Sequence, residues 1–327
     1  MNKFYKRIFC LIMLIGIISG SVIYFTVDIN TFSNLYSFKP WSIFVAILVL
    51  AIGLILDGTR LMHLVRISNE DIKFSQAVQV VFGNYFLALL TPGATGGAVA
   101  QLIFLRKAGI PTGKATVFVI VRTLVSIFFL LCCMPIIFYF DNNLLPWLSQ
   151  EQLTIISIVV IIGIMLLVGA FKTTLPSYLV LKLTKRFSYQ RRRSVYAFYR
   201  DLRAAVLLLS AAPLSMLRVF FESGLSLIAL YSVVPILFLG LDANVDWLLV
   251  MGRMCFLNIL LYFAPTPGGS GIAEGGFVLL FGDLVPAGTV GIAAVVWRII
   301  VEYLPFTIGF YYTVKVFGKD FISKQLK

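Results

Sequence analysis

Charged residues interrupt several long apolar stretches of this sequence, where a lone ion is costly to place. Acids and bases that are three or four positions apart on a helix lie on one face, so they can neutralise each other. That spacing predicts three pairs: Asp57 with Arg60, Arg218 with Glu222, and Arg298 with Glu302.

Three ions are left over by this pairing: Arg122 and Arg253 lack a nearby acid, and Glu274 lacks a nearby base. The surplus is positive, which favours an anionic ligand because buried arginines bind phosphates and carboxylates well. Two other interpretations of Arg253 stay open: it pairs with Glu274 across helices, or it extends to a polar interface. Glu274 is either a proton carrier or the partner of an arginine.

Two stretches of the chain are versions of each other, Thr91 to Ala98 and Thr266 to Ala273, and each opens on Thr-Pro-Gly. One offset of 175 positions relates Thr91 to Thr266, and an offset one residue longer relates Arg122 to Arg298. Matches in register over such a distance indicate an internal duplication. Where the second copy has Glu274, the first has Val99.

Proline and glycine break each helix at these stretches, and the helix that restarts presents unpaired N–H groups that favour an anion. We therefore predict a ligand cavity at the two breaks, with Arg122 and Arg298 as the strongest charged candidates. The alternative is that the glycines only allow close helix packing, as Gly93 with Gly97 and Gly271 with Gly275. The predicted site comprises Thr91, Pro92, Gly93, Gly96, Gly97, Arg122, Thr266, Pro267, Gly268, Gly269, Gly271, Glu274, Arg298 and Glu302.

The elements that must position these residues are membrane helices, because the chain is 60% hydrophobic and 13% charged. The net charge of +13 lies mostly in short segments between apolar runs, so it indicates membrane topology and not nucleic-acid binding. The fold class predicted is an all-α polytopic membrane protein with about six full spans and two re-entrant or broken helical hairpins. The predicted spans are Ile8 to Val27, Trp41 to Leu61, Ala115 to Tyr139, Thr154 to Phe171, Pro213 to Leu239 and Val290 to Val314.

The hairpin model puts nearly all lysines and arginines on the cytoplasmic side, with both termini there, in the cell (inner) membrane. It makes residues 1–327 one transmembrane domain in which halves 1–140 and 154–314 form an inverted repeat. The basic segment 172–205 is then a cytoplasmic connector. It is either an ordinary loop or a surface that contacts anionic inner-leaflet lipid.

The sequence has few features that are typical of enzymes, so we expect no enzymatic activity and no cofactor. His63 is the single histidine, and the sequence has no nucleotide-binding loop and no Cys/His metal cluster. The sequence says nothing on the oligomeric state.

The residues around both breaks resemble the flippase-like transmembrane region of the lysylphosphatidylglycerol synthases and their stand-alone relatives. The first motif runs from Asn84 through Thr91-Pro92-Gly93-Ala94-Thr95-Gly96-Gly97, and the second from Pro265 to Glu274. The resemblance implies an integral membrane fold that moves charged lipid between leaflets, and it adds Asn84 to the candidate site. It does not imply synthesis, since only a short tail follows Val314 where the bifunctional synthases carry a soluble aminoacyl-transferase domain.

The leading hypothesis is a flippase-like translocase for a charged phospholipid, anionic or aminoacylated, which makes membrane phospholipid the expected partner. The alternative is a transporter or accessory protein for polyisoprenyl-phosphate-linked sugars in a glycosyltransferase pathway. Ala94 and Val99 stand where family members often have polar or charged residues, which leaves the headgroup open.

Overall fold

A computed structural model describes residues 13, 38–93, 95–141, 144, 149–170, 173 and 175–325. These residues are helical almost throughout, as the sequence predicts, and the β structure among them is a single bridge between Pro92 and Pro267. The helices are α1 (Pro40–Arg66), α2 (Phe74–Leu89), α3 (Thr95–Lys107), α4 (Thr112–Phe140), α5 (Gln150–Ala170), α6 (Leu175–Leu183), α7 (Tyr189–Ala211), α8 (Pro213–Tyr231), α9 (Val233–Gly240), α10 (Trp247–Tyr262), α11 (Ile272–Phe281), α12 (Val290–Arg298) and α13 (Leu304–Gln325).

Four stretches within the described residues are long and apolar enough to cross a membrane, and all four were predicted from the sequence. They are α1, α4, α8 together with α9, and the stretch Val290–Val316. Both α1 and α8 begin with a proline in the first turn, where its missing N–H costs nothing. The predicted span Thr154 to Phe171 coincides with the apolar helix α5, and Ile8 to Val27 lies outside the described residues except for Met13.

The helices that flank the two breaks are shorter than a membrane crossing. Helices α2 and α10 have 16 residues each, or about 24 Å, and α11 has 10, or about 15 Å. The hydrocarbon core of a bilayer is about 30 Å thick, so none of these arms spans it alone. In the first hairpin α2 packs along α3, and in the second α10 packs against α11.

Packing between the two predicted halves is reciprocal. The last helix of the first half, α4, packs against the hairpin arm α10 of the second. The last helix of the second half, α13, packs against the hairpin arm α2 of the first, and α1 pairs with α8. This reciprocity is what a twofold relation between the halves requires. Close approach of α13 to α2 depends on Gly309, where an added Cβ would collide with the Phe82 carbonyl.

Candidate functional site

The two Thr-Pro-Gly breaks meet each other in the structure. Pro92 and Pro267 form an isolated antiparallel bridge, although 175 positions separate them. The next residue in each break has the same left-handed backbone, with φ of 60° at Gly93 and 58° at Gly268. Glycine is the residue that adopts this conformation without steric cost, which explains its presence at both positions. The sequence prediction that the two breaks bound one site is therefore consistent with their contact.

The first break is held by the Thr91 side chain. Its hydroxyl donates to the Leu87 carbonyl at 2.8 Å and accepts the Gly96 N–H, 2.7 Å away, at the start of α3. Gly97 packs inside this hairpin, where an added Cβ would collide with Asn84 Oδ1. The close-packing interpretation of the sequence therefore applies to Gly97. It does not apply to Gly275, which has open space where a Cβ would stand.

The second break is stabilised instead by hydrogen bonds and an ion pair of charged side chains. Glu274 Oε2 accepts the Gly271 N–H at 2.7 Å and so caps the N-terminus of α11. Arg298 donates from Nε to Glu274 Oε1 at 3.0 Å and from both Nη atoms to the Gly268 carbonyl at 3.1 Å. The bridge to an arginine, one of the two roles considered for Glu274, is thus present.

Thr91 and Thr266 are equivalent in the repeat but differ in their contacts, which gives a matched pair of mutations. Thr91→Val should lower the free energy of unfolding by about 1 kcal/mol, because the Gly96 N–H loses its acceptor. Thr266→Val should be neutral or stabilising, because the buried Thr266 hydroxyl has no hydrogen-bond partner among the described residues. Thermal unfolding of the purified variants in detergent measures both. Equal losses from the two substitutions would contradict this assignment.

A first ion cluster consists of Asp57, Arg60 and Arg122, all about 95% buried. Asp57 Oδ1 lies 2.6 Å from Arg60 Nε, and Arg122 Nη2 donates to Asp57 Oδ2. With all three groups ionised, this cluster carries a net charge of +1. The pair Asp57–Arg60 was predicted from spacing, whereas the partner of Arg122 was not.

A polar chain connects the first ion cluster to the first hairpin. Arg122 Nη1 donates to Gln101 Oε1 at 2.6 Å, and Gln101 Nε2 donates to Asn84 Oδ1 at 2.8 Å. The predicted site residues Asn84 and Arg122 are thereby brought together through a residue, Gln101, that the sequence analysis missed. The sequence feature that could have identified Gln101 is an amide side chain in an apolar helix, one turn after Gly97.

A second ion cluster consists of Glu274, Arg298 and Glu302. Arg298 Nη1 donates to the Glu302 carboxylate, as the spacing predicted, while the Arg298 side chain is only 2% exposed. With all three groups ionised, the net charge is −1. The positive surplus deduced from the sequence was therefore wrong for the second half of the chain, because Arg298 serves two carboxylates.

Arg253 does not pair with Glu274, which was one of its two sequence interpretations. It pairs with Asp141 at 2.8 Å and at 2.9 Å with Asp283, whose side chain is 59% exposed, in agreement with the interpretation that it extends to a polar interface. The predicted pair Arg218–Glu222 is present at 2.9 Å, and Glu222 additionally lies 2.8 Å from His63 Nδ1. These groups stabilise the helix packing and are not part of the candidate site.

A central cavity of about 250 Å³ lies beside the second break and the end of α2, while no described residue of the first break, Thr91 to Gly97, lines it. Polar and aromatic side chains from α2, α8, α10 and α12, together with the second break, form much of its wall. Its lining includes Asn84, Tyr85, Tyr231, Asn258, Tyr262, Gly268, Gly269, Trp297 and Glu302.

One ion cluster lines the central cavity and the other is linked to its wall by hydrogen bonds. Glu302 belongs to the second cluster and lines the cavity, with 19% of its side chain exposed. Asn84 lines the cavity together with Tyr85 and Tyr262, and it is connected to Arg122 of the first cluster through Gln101. Trp297 lines the cavity too, although its indole Nε1 is buried and has no hydrogen-bond partner among the described residues.

The side chains that line the cavity offer hydrogen bonds and charge, and the described residues form no metal site. Among them, no group of three or more His, Cys, Asp or Glu side chains is arranged to hold a metal ion.

Comparison with known proteins gives two matches. A model of the family described as the lysylphosphatidylglycerol synthase TM region matches residues 12–309. The chain is also similar to a UPF0104 membrane protein of Archaeoglobus fulgidus, with 19% identity over 237 residues that cover 70% of this chain and 72% of the relative.

Proposed function

We propose that this chain, which belongs to the lysylphosphatidylglycerol synthase TM region family, moves a charged phospholipid between the leaflets of its membrane. The observation that carries the proposal is the meeting of the two broken hairpins beside a cavity whose mainly apolar wall contains Asn84, Asn258 and Glu302. Irregular backbone at membrane depth persists only where protein or a hydrated cavity satisfies its polar groups. Such a cavity is a stopping place for a headgroup that must cross the hydrocarbon core.

The size of the central cavity supports a lipid substrate. At about 250 Å³ it is below the usual range for drug-sized ligands, roughly 300 to 1,000 Å³, so it accommodates a headgroup and not the acyl chains. A molecule whose polar part enters the protein while its apolar part stays in the bilayer fits this restriction.

The charges around the cavity favour a headgroup that has both a phosphate and an amine. Glu302, in the cluster of net charge −1, offers a partner for an ammonium group. Asn84 and Tyr262 offer hydrogen bonds to a phosphate, and Asn84 is linked through Gln101 to Arg122 of the cluster of net charge +1. An aminoacylated phospholipid meets both requirements, whereas a polyisoprenyl-phosphate sugar without an amine offers Glu302 no second cation beside Arg298.

Transport measured in vesicles tests the proposal. Purified protein in liposomes should move labelled aminoacylated phosphatidylglycerol faster than phosphatidylglycerol, with the rate read from the label that an impermeant reductant fails to bleach. Glu302→Gln should reduce this preference about tenfold, because it removes the carboxylate that faces the cavity. Asp71→Asn, at an exposed ion pair, is the control and should transport normally.

Two outcomes would redirect the proposal. Wild-type protein that moves no labelled phospholipid above the rate of empty vesicles would refute it. Movement of a polyisoprenyl-phosphate sugar alone, with no effect of Glu302→Gln, would establish the alternative function instead.

The proposal places the chain in the cell's inner membrane with both termini in the cytoplasm, which brings α6 and α7 to the anionic leaflet. The support is charge, since Arg191, Arg192 and Arg193 lie in α7 while Asp242 and Asp246 lie between α9 and α10. Single cysteines in a background without native cysteines test it. An impermeant maleimide should label Asp242→Cys in intact cells and leave Arg192→Cys unlabelled, and the reverse pattern would invert the topology.

A further inference from the structure

We infer that an apolar groove between α1, α2 and α13, here called the lateral groove, holds an acyl chain of the lipid whose headgroup enters the central cavity. The inference rests on the proposed function and adds where the apolar part of the substrate goes. The lateral groove has a volume of about 300 Å³.

The lateral groove is lined by apolar side chains and is open to the bilayer. Its lining includes Leu50, Ala51 and Leu54 of α1, Val78 and Phe82 of α2, and Ile308 of α13. Along α1 it extends from Ile47 to Ile55, which corresponds to about 12 Å. Both of these isoleucines are more than a third exposed, so a chain can enter sideways from the surrounding lipid.

The lateral groove adjoins the central cavity along two elements. On α2, Val78 and Phe82 line the groove and Tyr85 and Leu89 line the cavity, at a spacing of three or four residues that keeps them on one helix face. Where α12 leads into α13, Glu302 lines the cavity and Leu304 lines the groove.

A ligand that fills both spaces needs a charged end and an apolar end joined at the level of Tyr85. The two spaces meet along residues that change from polar to apolar within one helical turn. A phospholipid has this construction, with its headgroup beside Glu302 and one acyl chain against Leu50 and Leu54. A fatty acid also has a charged end, but that end is a carboxylate and would meet the carboxylate of Glu302 in the cavity.

The backbone between α12 and α13 has an unusual form where the central cavity and the lateral groove adjoin. Residues Ile299–Tyr303 form a π-helical turn, a wider form that occurs mostly as short segments at functional sites. The turn contains Glu302, and Val301 within it also lines the central cavity. It therefore lies at the junction of the two spaces.

Ala51 and Ile52 give a matched pair for the test. Ala51 lines the groove, so Ala51→Phe should fill it, whereas Ile52 is 53% exposed and does not line it. A phospholipid with a photoreactive diazirine in its acyl chain should cross-link to α1 and α2 peptides in wild type and in Ile52→Phe. In Ala51→Phe, both the cross-linking and the transport rate should fall about tenfold.

Failure of this inference and failure of the proposed function have different signatures. Transport by wild type, with neither cross-links at the groove nor a loss in Ala51→Phe, would overturn the acyl-chain site and leave the translocase proposal standing. Cross-links at the groove that Ala51→Phe abolishes, in protein that moves no lipid, would support the acyl-chain site and refute translocation. Losses of the same size in Ala51→Phe and Ile52→Phe would also overturn the acyl-chain site.

Discussion

Arg298→Met is expected to lower the free energy of unfolding by about 3 to 5 kcal/mol, the range for removing one partner from a buried ion pair. Arg298 and Glu274 are 1% and 2% exposed, so water cannot replace the lost guanidinium. The substitution leaves the carboxylates of Glu274 and Glu302 without a cation. It also leaves the Gly268 carbonyl without its donor at the second break.

Unfolding of detergent-solubilised protein, followed by helical circular dichroism during denaturant titration, measures this loss. Arg218→Met is the matched control. Arg218 also pairs with an acid four positions away, but its side chain is 64% exposed and the substitution should cost no more than about 1 kcal/mol. The triple variant Glu274→Gln, Arg298→Met, Glu302→Gln should recover much of the stability, since no buried charge remains. A single Arg298→Met variant as stable as Arg218→Met would show that the cluster is not buried in solution.

The hairpins were predictable because their signals are local. Proline and glycine at Thr91-Pro92-Gly93 end an apolar run too early for a membrane crossing, and the structure ends α2 at Leu89. The same reasoning holds for α10, which ends at Tyr262 ahead of Thr266. Duplication added the second piece of information, because equivalent motifs in two halves can be expected to meet.

Contacts between distant helices were not predictable from spacing. The rule for pairs on one helix found Arg298 with Glu302, but Glu274 and Arg298 are 24 positions apart, and Asp57 and Arg122 are 65 apart. Counting local pairs as neutral also assumed that each ion has one partner. Asp57 instead has two arginines and Arg298 two carboxylates, so the two clusters carry opposite net charges and not a shared positive surplus.

The aromatic residues of the cavity wall could not be predicted from composition. Tyr85, Tyr262 and Trp297 lie in apolar runs, where aromatic residues usually fill a core, and nothing in their spacing separates the two roles. Only the tertiary arrangement of α2, α10 and α12 places them around one space. Glu302 was identified because a charged residue in a membrane helix is itself a signal, whereas Asn84 was identified only through the resemblance to the family.

Asp57→Asn is expected to produce the second large effect, a loss of about 3 to 5 kcal/mol in the free energy of unfolding. The wild-type cluster already carries one excess positive charge, and the substitution leaves Arg60 and Arg122 without an acid in a buried site. Arg60→Gln alone should cost less, because it leaves Asp57 and Arg122 as a neutral pair.

The double variant Asp57→Asn, Arg60→Gln shows whether uncompensated charge or lost contacts cause the decrease in the free energy of unfolding of Asp57→Asn. Its cluster has the same net charge as wild type, so it should unfold at a higher denaturant concentration than Asp57→Asn. Asp71→Asn, with a side chain that is 72% exposed, should resemble wild type.

If the double variant is less stable than Asp57→Asn, the hydrogen bond from Arg60 to Ser126 outweighs charge balance. The first cluster then serves mainly to hold helices α1 and α4 together. If it is more stable, the second uncompensated positive charge is what destabilises Asp57→Asn. The single positive charge that the double variant keeps is then tolerated by the fold, as the proposed attraction of a phosphate through Gln101 and Asn84 requires.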